Sequence, residues 1–91
     1  MKTIHRKGNF KKDFKLLEKR GKDIRKLKEV TQLLGENVAL PAKYKPHKLK
    51  GEYKDFWECH IEGDWLLIYT YDEDNLWLHR TGRHQDLFKR Y

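Results

Sequence analysis

The 91-residue chain is short, polar and basic, with 21 lysines and arginines against 14 aspartates and glutamates, a net charge of +7 and a pI near 9.5. This length predicts one domain spanning residues 1–91. The sequence has no apolar run long enough for a transmembrane helix, its N-terminal residues are polar, unlike a signal peptide, and a single cysteine excludes an internal disulfide. These features predict a cytoplasmic protein without a membrane partner.

The positive charge is concentrated in the N-terminal half. Residues 1–50 hold sixteen basic and five acidic side chains, whereas residues 51–91 hold five and nine. A basic half of this kind favours RNA, DNA or an acidic protein as partner, although the lysines could simply solvate two helices. Nine cations of the predicted helices are candidates for contacts with RNA phosphates: Lys11, Lys12, Lys15, Lys19, Arg20, Lys22, Arg25, Lys26 and Lys28.

Two amphipathic helices are predicted in this basic half. Apolar residues at helical spacing predict the first helix over residues 10–20, with Asn9 as its N-cap. A second apolar stripe predicts a helix over residues 22–34, which Gly35 would end. The short connection between them predicts an antiparallel helical hairpin.

The rest of the chain is predicted to form a sheet, with strands over residues 3–5, 56–61, 65–71 and 76–81. Alternation puts Cys59 on the core face and His60 on the opposite face, and in the last strand it separates Leu78 from Thr81. Residues 65–71 are almost continuously apolar, which indicates a central strand. The predicted fold class is α+β: an N-terminal strand and a helical hairpin packed on a mostly antiparallel sheet, with a C-terminal helical turn over residues 85–90.

Three histidines suggest acid–base chemistry on a polyanion, because imidazole exchanges protons near neutral pH. RNA can be cut by its own 2′-hydroxyl when one group takes a proton, another gives one, and cations stabilise the phosphorane. The catalytic candidates are His47, His60, Asp64 and His84. The candidates for RNA contact are Lys48, Lys50, Arg80 and Arg83, with Trp65 and Phe88 as stacking residues. No short pair of ligands such as His-x3-His supports a metal site, so no metal or other cofactor is expected.

Three segments together closely resemble the YafQ-type toxins of the RelE superfamily: PHKLKG at residues 46–51, ECHIEGDWLLIY at 58–69 and RTGRHQDLF at 80–88. The resemblance extends over nearly the whole chain and implies a RelE-like fold. It also implies a toxin of a type II toxin–antitoxin system that cleaves mRNA in the A site of the 70S ribosome and inhibits translation. It further implies a DinJ- or RelB-like antitoxin as partner, encoded next to the toxin. The free toxin would be a monomer, and the inhibited form would be a hetero-oligomer of toxin and antitoxin.

The resemblance also suggests a role for each candidate residue. His84 is the favoured general acid. Asp64 is a candidate base, or orients a histidine that acts as base. His47 and His60 hold or charge-stabilise the scissile phosphate, and one of them is a candidate to share the proton transfer. Trp65 and Phe88 would then shape the pocket for the base.

Two positions depart from the family pattern. Gly63 stands where the family commonly has proline, and Arg83 where a small hydroxyl residue is usual.

Two other functions remain open at this point. The same fold is used by ParE-like toxins, which act on DNA gyrase without a histidine cluster. The chain could also be a small nucleic-acid-binding protein whose histidines have no catalytic role. His47, His60 and His84 favour the nuclease over both.

Overall fold

The computed structural model describes residues 1–88, which form a five-stranded sheet and three helices. In chain order the elements are β1 (Thr3–Arg6), α1 (Gly8–Lys19), α2 (Ile24–Gly35), β2 (His47–Lys48), β3 (Trp57–Glu62), β4 (Trp65–Tyr71), β5 (Asn75–Arg83) and α3 (His84–Leu87), with 3₁₀ turns at Ala42–Tyr44 and Gly51–Tyr53. The strand order is β1-β5-β4-β3-β2. Only the β1–β5 pair is parallel, so the predicted mostly antiparallel α+β fold is confirmed, with β4 in the centre.

Helices α1 and α2 supply apolar side chains to one core on one face of the sheet. Phe10 and Leu17 of α1 and Leu27 and Val30 of α2 are buried against the sheet residues Cys59, Ile61, Trp65, Leu67, Tyr69, Leu76 and Leu78. Each such side chain contributes about 1.5–3 kcal/mol when fully buried. The opposite face of the sheet is therefore left for other functions.

Both helices begin and end differently from the predictions. Asn9 is not the N-cap, because the Lys7 amide still donates to Leu78 of the sheet and α1 begins at Gly8. Helix α2 begins later than predicted, with the Asp23 side chain accepting from the Arg25 amide. Helix α2 ends at Gly35, one residue beyond the predicted end at residue 34, and the positive φ after the helix is taken by Asn37 and not by Gly35.

Strand β5 contains an irregularity that the sequence pattern does not reveal. The pairing with β4 shifts between Ile68 and Tyr69, so that Tyr69 pairs with Leu78 while Ile68 pairs with Arg80. The bulge reverses the alternation, and Thr81 points to the helix-side core instead of away from it. The predicted separation of Leu78 from Thr81 is therefore wrong.

The C-terminal helical turn is present but short. Helix α3 covers His84–Leu87, while Lys89 and Arg90 of the predicted 85–90 turn lie outside the described residues. No helix within residues 1–88 has the length and apolar character needed to cross a membrane.

Candidate active site

A groove lies on the face of the sheet opposite α1 and α2. Its volume is about 410 Å³, and it is lined by His47, Leu49, Lys50, Tyr53, Glu58, His84 and Phe88. Two of the predicted catalytic histidines and the predicted stacking residue Phe88 therefore share one hollow. A groove of this size can accept a nucleotide.

The register of the sheet creates the central contact of the groove. His47 of β2 pairs directly with Glu58 of β3, so both side chains point to the same face. The His47 Nε2 atom lies 3.1 Å from Glu58 Oε1. Glu58 is a buried carboxylate whose side chain is only 7% exposed, and a buried carboxylate needs such a partner.

The other ring nitrogen of His47 also faces an oxygen. Nδ1 lies 2.8 Å from the Lys45 carbonyl, which can only accept a hydrogen bond. With Glu58 ionised, both contacts are satisfied when both ring nitrogens carry protons. The Lys45 carbonyl therefore favours a proton on Nδ1, while Nε2 faces the Glu58 carboxylate in the groove wall.

His60 lies beside this pair rather than in the groove wall. Its Nε2 atom is 3.9 Å from Glu58 Oε1, and its ring centroid is 6.3 Å from that of His47. Its Nδ1 atom lies 3.3 Å from the Gly63 carbonyl, to which it donates. Glu58 thus stands between two imidazoles, and the Nε2 lone pair of His60 is free to accept a proton.

His84 enters the groove from the first residue of α3. Its ring centroid lies 5.0 Å from that of Phe88, and the side chain is exposed. The His84 amide donates to Asp64 Oδ1 at 3.3 Å. Asp64, in the turn between β3 and β4, therefore caps the start of α3 and fixes the position of His84. The carboxylate that contacts an imidazole is Glu58, not Asp64.

The turn that carries Asp64 is tight. Glu62 pairs with Trp65, which leaves only Gly63 and Asp64 between the strands. Gly63 has φ +47, a conformation that proline cannot adopt. The first departure from the family pattern therefore gives this chain a turn built on glycine.

Trp65 does not line the groove. Its side chain is on the helix-side face, is 1% exposed, and donates from Nε1 to the Thr81 hydroxyl at 2.9 Å. The prediction that Trp65 stacks on a base is wrong, because neither face of the indole is accessible. Phe88 is half-buried and meets Tyr53 edge-on at 5.3 Å, so Phe88 stays a candidate for stacking.

The four predicted cationic contacts have different environments. Lys50 is exposed and lines the groove. Lys48 follows His47 on β2 and therefore points to the other side of the sheet. Arg80 forms a two-point ion pair with Asp13 of α1 at 2.7 and 3.2 Å, and this pairing raises the pKa of the guanidinium. Arg83 pairs with Asp86 at 3.2 Å at the start of α3.

The sequence interpretation missed three residues that line the groove: Leu49, Tyr53 and Glu58. Glu58 lies two positions before His60 on the same face of β3, and this spacing was the available signal. Tyr53 lies in a 3₁₀ turn of the long connection, where no periodicity marks it.

Residues 2–89 match the family model described as a bacterial toxin of type II toxin–antitoxin system, YafQ. The mRNA interferase toxin YafQ of Escherichia coli K12 is 43% identical over 88 residues, which are 96% of each chain. The chain belongs to the YafQ toxin family. The resemblance seen in the sequence is thereby confirmed.

Solved structures of YafQ-family and related toxins agree with the fold. The E. coli DinJ–YafQ complex contains a chain that is 44% identical, with a TM-score of 0.90, covering 97% of this chain and 99% of that one. A metal-bound toxin from Helicobacter pylori is also 44% identical, with a TM-score of 0.90 and 97% and 100% coverage. In residues 1–88 of the present YafQ-family toxin, no three His, Cys, Asp or Glu side chains are arranged to hold a metal ion.

Proposed function

We propose that this YafQ-family toxin is an endoribonuclease that cleaves mRNA in the A site of the 70S ribosome and so inhibits translation. The observation that carries the proposal is the single groove shared by His84 and the His47–Glu58 pair. The curated E. coli relative is named an mRNA interferase, which supports the nuclease over the ParE-like and non-catalytic alternatives.

The reaction needs only groups that the chain supplies. The O2′ atom attacks the adjacent phosphorus, and its proton passes by way of the Glu58 carboxylate, which lines the groove, to His60 Nε2, 3.9 Å from Glu58 Oε1. His47, in its protonated form, and Lys50 stabilise the extra negative charge on the phosphorane. The P–O5′ bond breaks as His84 gives a proton to O5′. The products are a 2′,3′-cyclic phosphate and a 5′-hydroxyl.

In this scheme Asp64 is a positioning residue. Its carboxylate holds the His84 amide and thereby the start of α3. Phe88 shapes the pocket for the base beside His84.

The test is His84→Ala in a translating-ribosome reaction, with the ends of the mRNA mapped. We expect cleavage to fall by about 10²–10⁴-fold, the usual contribution of a general acid. His5→Gln is the matched control, because His5 pairs with Asn75 at the far end of β5. Full activity of the His84→Ala protein would remove His84 from the mechanism.

We also propose two macromolecular partners for the basic helices. Lys11, Lys15 and Lys19 are exposed along α1 and take part in no ion pair within residues 1–88, so they are available for ribosomal RNA phosphates. Others are already paired, as Lys26 is with Glu62 at 2.6 Å. An antitoxin similar to DinJ would inhibit the toxin in the cytoplasm, as a hetero-oligomer, while the free toxin would be a monomer.

A further inference from the structure

A second pocket lies next to the groove and is not used by the proposed reaction. Its volume is about 500 Å³, and its walls include Lys7, Lys12, Tyr53, Phe56, His79 and Arg80. Tyr53 lines both pockets and forms the wall between them. The two hollows are therefore neighbours on one surface.

A continuous series of aromatic rings joins the two pockets. From the groove outward the rings are His84, Phe88, Tyr53, Phe56 and His79, with successive centroids 5.0, 5.3, 6.2 and 4.8 Å apart. All of these rings except the exposed His84 are half-buried. Three of these contacts are edge-on, so the rings hold one another in place, and the exposed part of each ring can contact an unpaired base.

The charge of the second pocket suits a phosphate backbone. Lys7 and Lys12 are exposed and form no ion pair within residues 1–88. Asp13 is the nearby carboxylate, but it is already bonded to the Arg80 guanidinium and to the Thr81 amide. The charged side chains that line the pocket, those of Lys7, Lys12 and Arg80, are all basic.

We infer that the second pocket binds the nucleotides that flank the scissile bond, so that single-stranded RNA runs from the groove along the aromatic series to Lys7 and Lys12. The inference rests on the proposed function and extends it, because it names an RNA-binding surface beyond the catalytic groove. Cations that follow the backbone and rings that stack on bases are the usual elements of single-strand recognition.

The test uses RNA that cannot be cut, so it does not depend on catalysis. We would measure Kd for 2′-O-methyl oligoadenylates, a dinucleotide and a hexanucleotide, across a series of salt concentrations. In the native protein the hexanucleotide should bind more tightly, because only it reaches both pockets. In the double variant Lys7→Ala/Lys12→Ala this gain should shrink by about tenfold or more, and the salt slope should fall by about 1.4 for two lost phosphate contacts.

The matched control is Lys15→Ala/Lys19→Ala, which removes the same charge from the same helix at residues that line neither pocket. The ribosomal RNA that we propose as their partner is absent from this assay. An equal loss of affinity in the control would show that only diffuse charge is involved and would overturn the inference. Phe56→Leu tests the rings separately, with an expected loss of at least about fivefold for the hexanucleotide. Thermal unfolding of each variant confirms that it is folded.

The two proposals can fail independently. If His84→Ala retains full cleavage while Lys7 and Lys12 still govern hexanucleotide affinity, the mechanism is wrong and the RNA path stands. If cleavage needs His84 but Phe56→Leu and the Lys7/Lys12 variant bind the hexanucleotide as the native protein does, the RNA path is wrong.

Discussion

The two faces of β3 carry neighbouring buried residues in opposite environments. Cys59 lies on the helix-side face, fully enclosed by apolar side chains, and burial together with the nearby Glu58 raises the pKa of its thiol to about 12. Glu58 lies on the groove side, is almost as buried, and stands between the imidazoles of His47 and His60. Cys59 is therefore inert packing, whereas Glu58 is held where its charge can act.

The difference shows how this small domain separates stability from chemistry. The helix-side face contains the large apolar side chains, and its buried polar groups are paired with one another, as Trp65 is with Thr81. The groove face buries a carboxylate whose ion pairs within residues 1–88 are both with histidines, His47 and His60. A protein that required only stability would place an apolar residue at position 58, so Glu58 indicates function.

The substitution Glu58→Gln tests most directly whether the groove face carries the chemistry. The amide keeps the shape of the side chain but removes the negative charge between the two imidazoles. We expect ribosome-dependent cleavage to fall by about 10²–10³-fold, as for the loss of one acid–base or electrostatic group. The measurement is the single-turnover cleavage rate.

Glu62→Gln is the control for that experiment. Glu62 lies at the end of the same strand and pairs with Lys26 on the protein surface. It should leave the cleavage rate unchanged. Equal losses from both substitutions would mean that Glu58 acts only through the general charge of the protein.

Replacing one aromatic residue on each face of the sheet should affect stability in one case and activity in the other. Trp65→Phe leaves the Thr81 hydroxyl without its donor and opens a cavity, so the free energy of unfolding should fall by about 2–3 kcal/mol. Its cleavage rate at 25 °C should stay near the native value. Denaturant titration and the cleavage assay together check both outcomes.

Phe88→Leu should show the reverse pattern. Phe88 is half-buried at the groove, so its loss should reduce cleavage by about tenfold while changing stability little. A Trp65→Phe protein that is stable but inactive would restore the prediction that Trp65 contacts RNA.

Gly82 lies near the end of β5, just before α3, and its replacement by alanine should have a smaller effect on stability. Its φ is +151, and an added Cβ would lie 3.5 Å from Leu87 of α3. Gly82→Ala should therefore cost about 1–2 kcal/mol in a backbone region that favours glycine. Gly8→Ala is the control, because Gly8 is helical and has open space around it, so that substitution should be neutral or stabilising by urea titration.

Much of the fold was predictable because alternation and helical spacing report directly on burial. The placement of Cys59 and His60 on opposite faces of β3 is confirmed, as is the central position of β4. The reversal at Thr81 was not predictable, since one extra residue in β5 changes the facing of every later side chain. No residue type in this strand signals that bulge.

The candidate site was predictable in its residue types but less so in its contacts. His47 and His84 share the groove as expected, yet Asp64 bonds to a backbone amide and Trp65 is buried. Asp64 and Trp65 were predicted to lie beside the histidines because they are close to His60 in the sequence. Trp65 is the first residue of β4, however, and its side chain points to the helix-side core instead of the groove. The partner of the histidines, Glu58, depends on the register of β2 against β3, which the two-residue strand β2 does not specify.

The smallest expected effect concerns His79, which lies at the far end of the aromatic series. Burial, and after it the charge of Lys7, lowers its pKa from the ordinary value of 6.5. The folded state then binds fewer protons than the unfolded state below pH 6.5, so stability is complete above that pH and declines as the pH falls through the lowered pKa. His79→Gln should flatten this part of the profile of melting temperature against pH. Thr70→Val removes the 2.8 Å hydrogen bond to His79 but keeps the buried imidazole near Lys7. Thr70→Val should therefore lower the melting temperature at every pH and leave the slope of melting temperature against pH unchanged. If that slope also survives in His79→Gln, groups other than His79 cause the acid sensitivity.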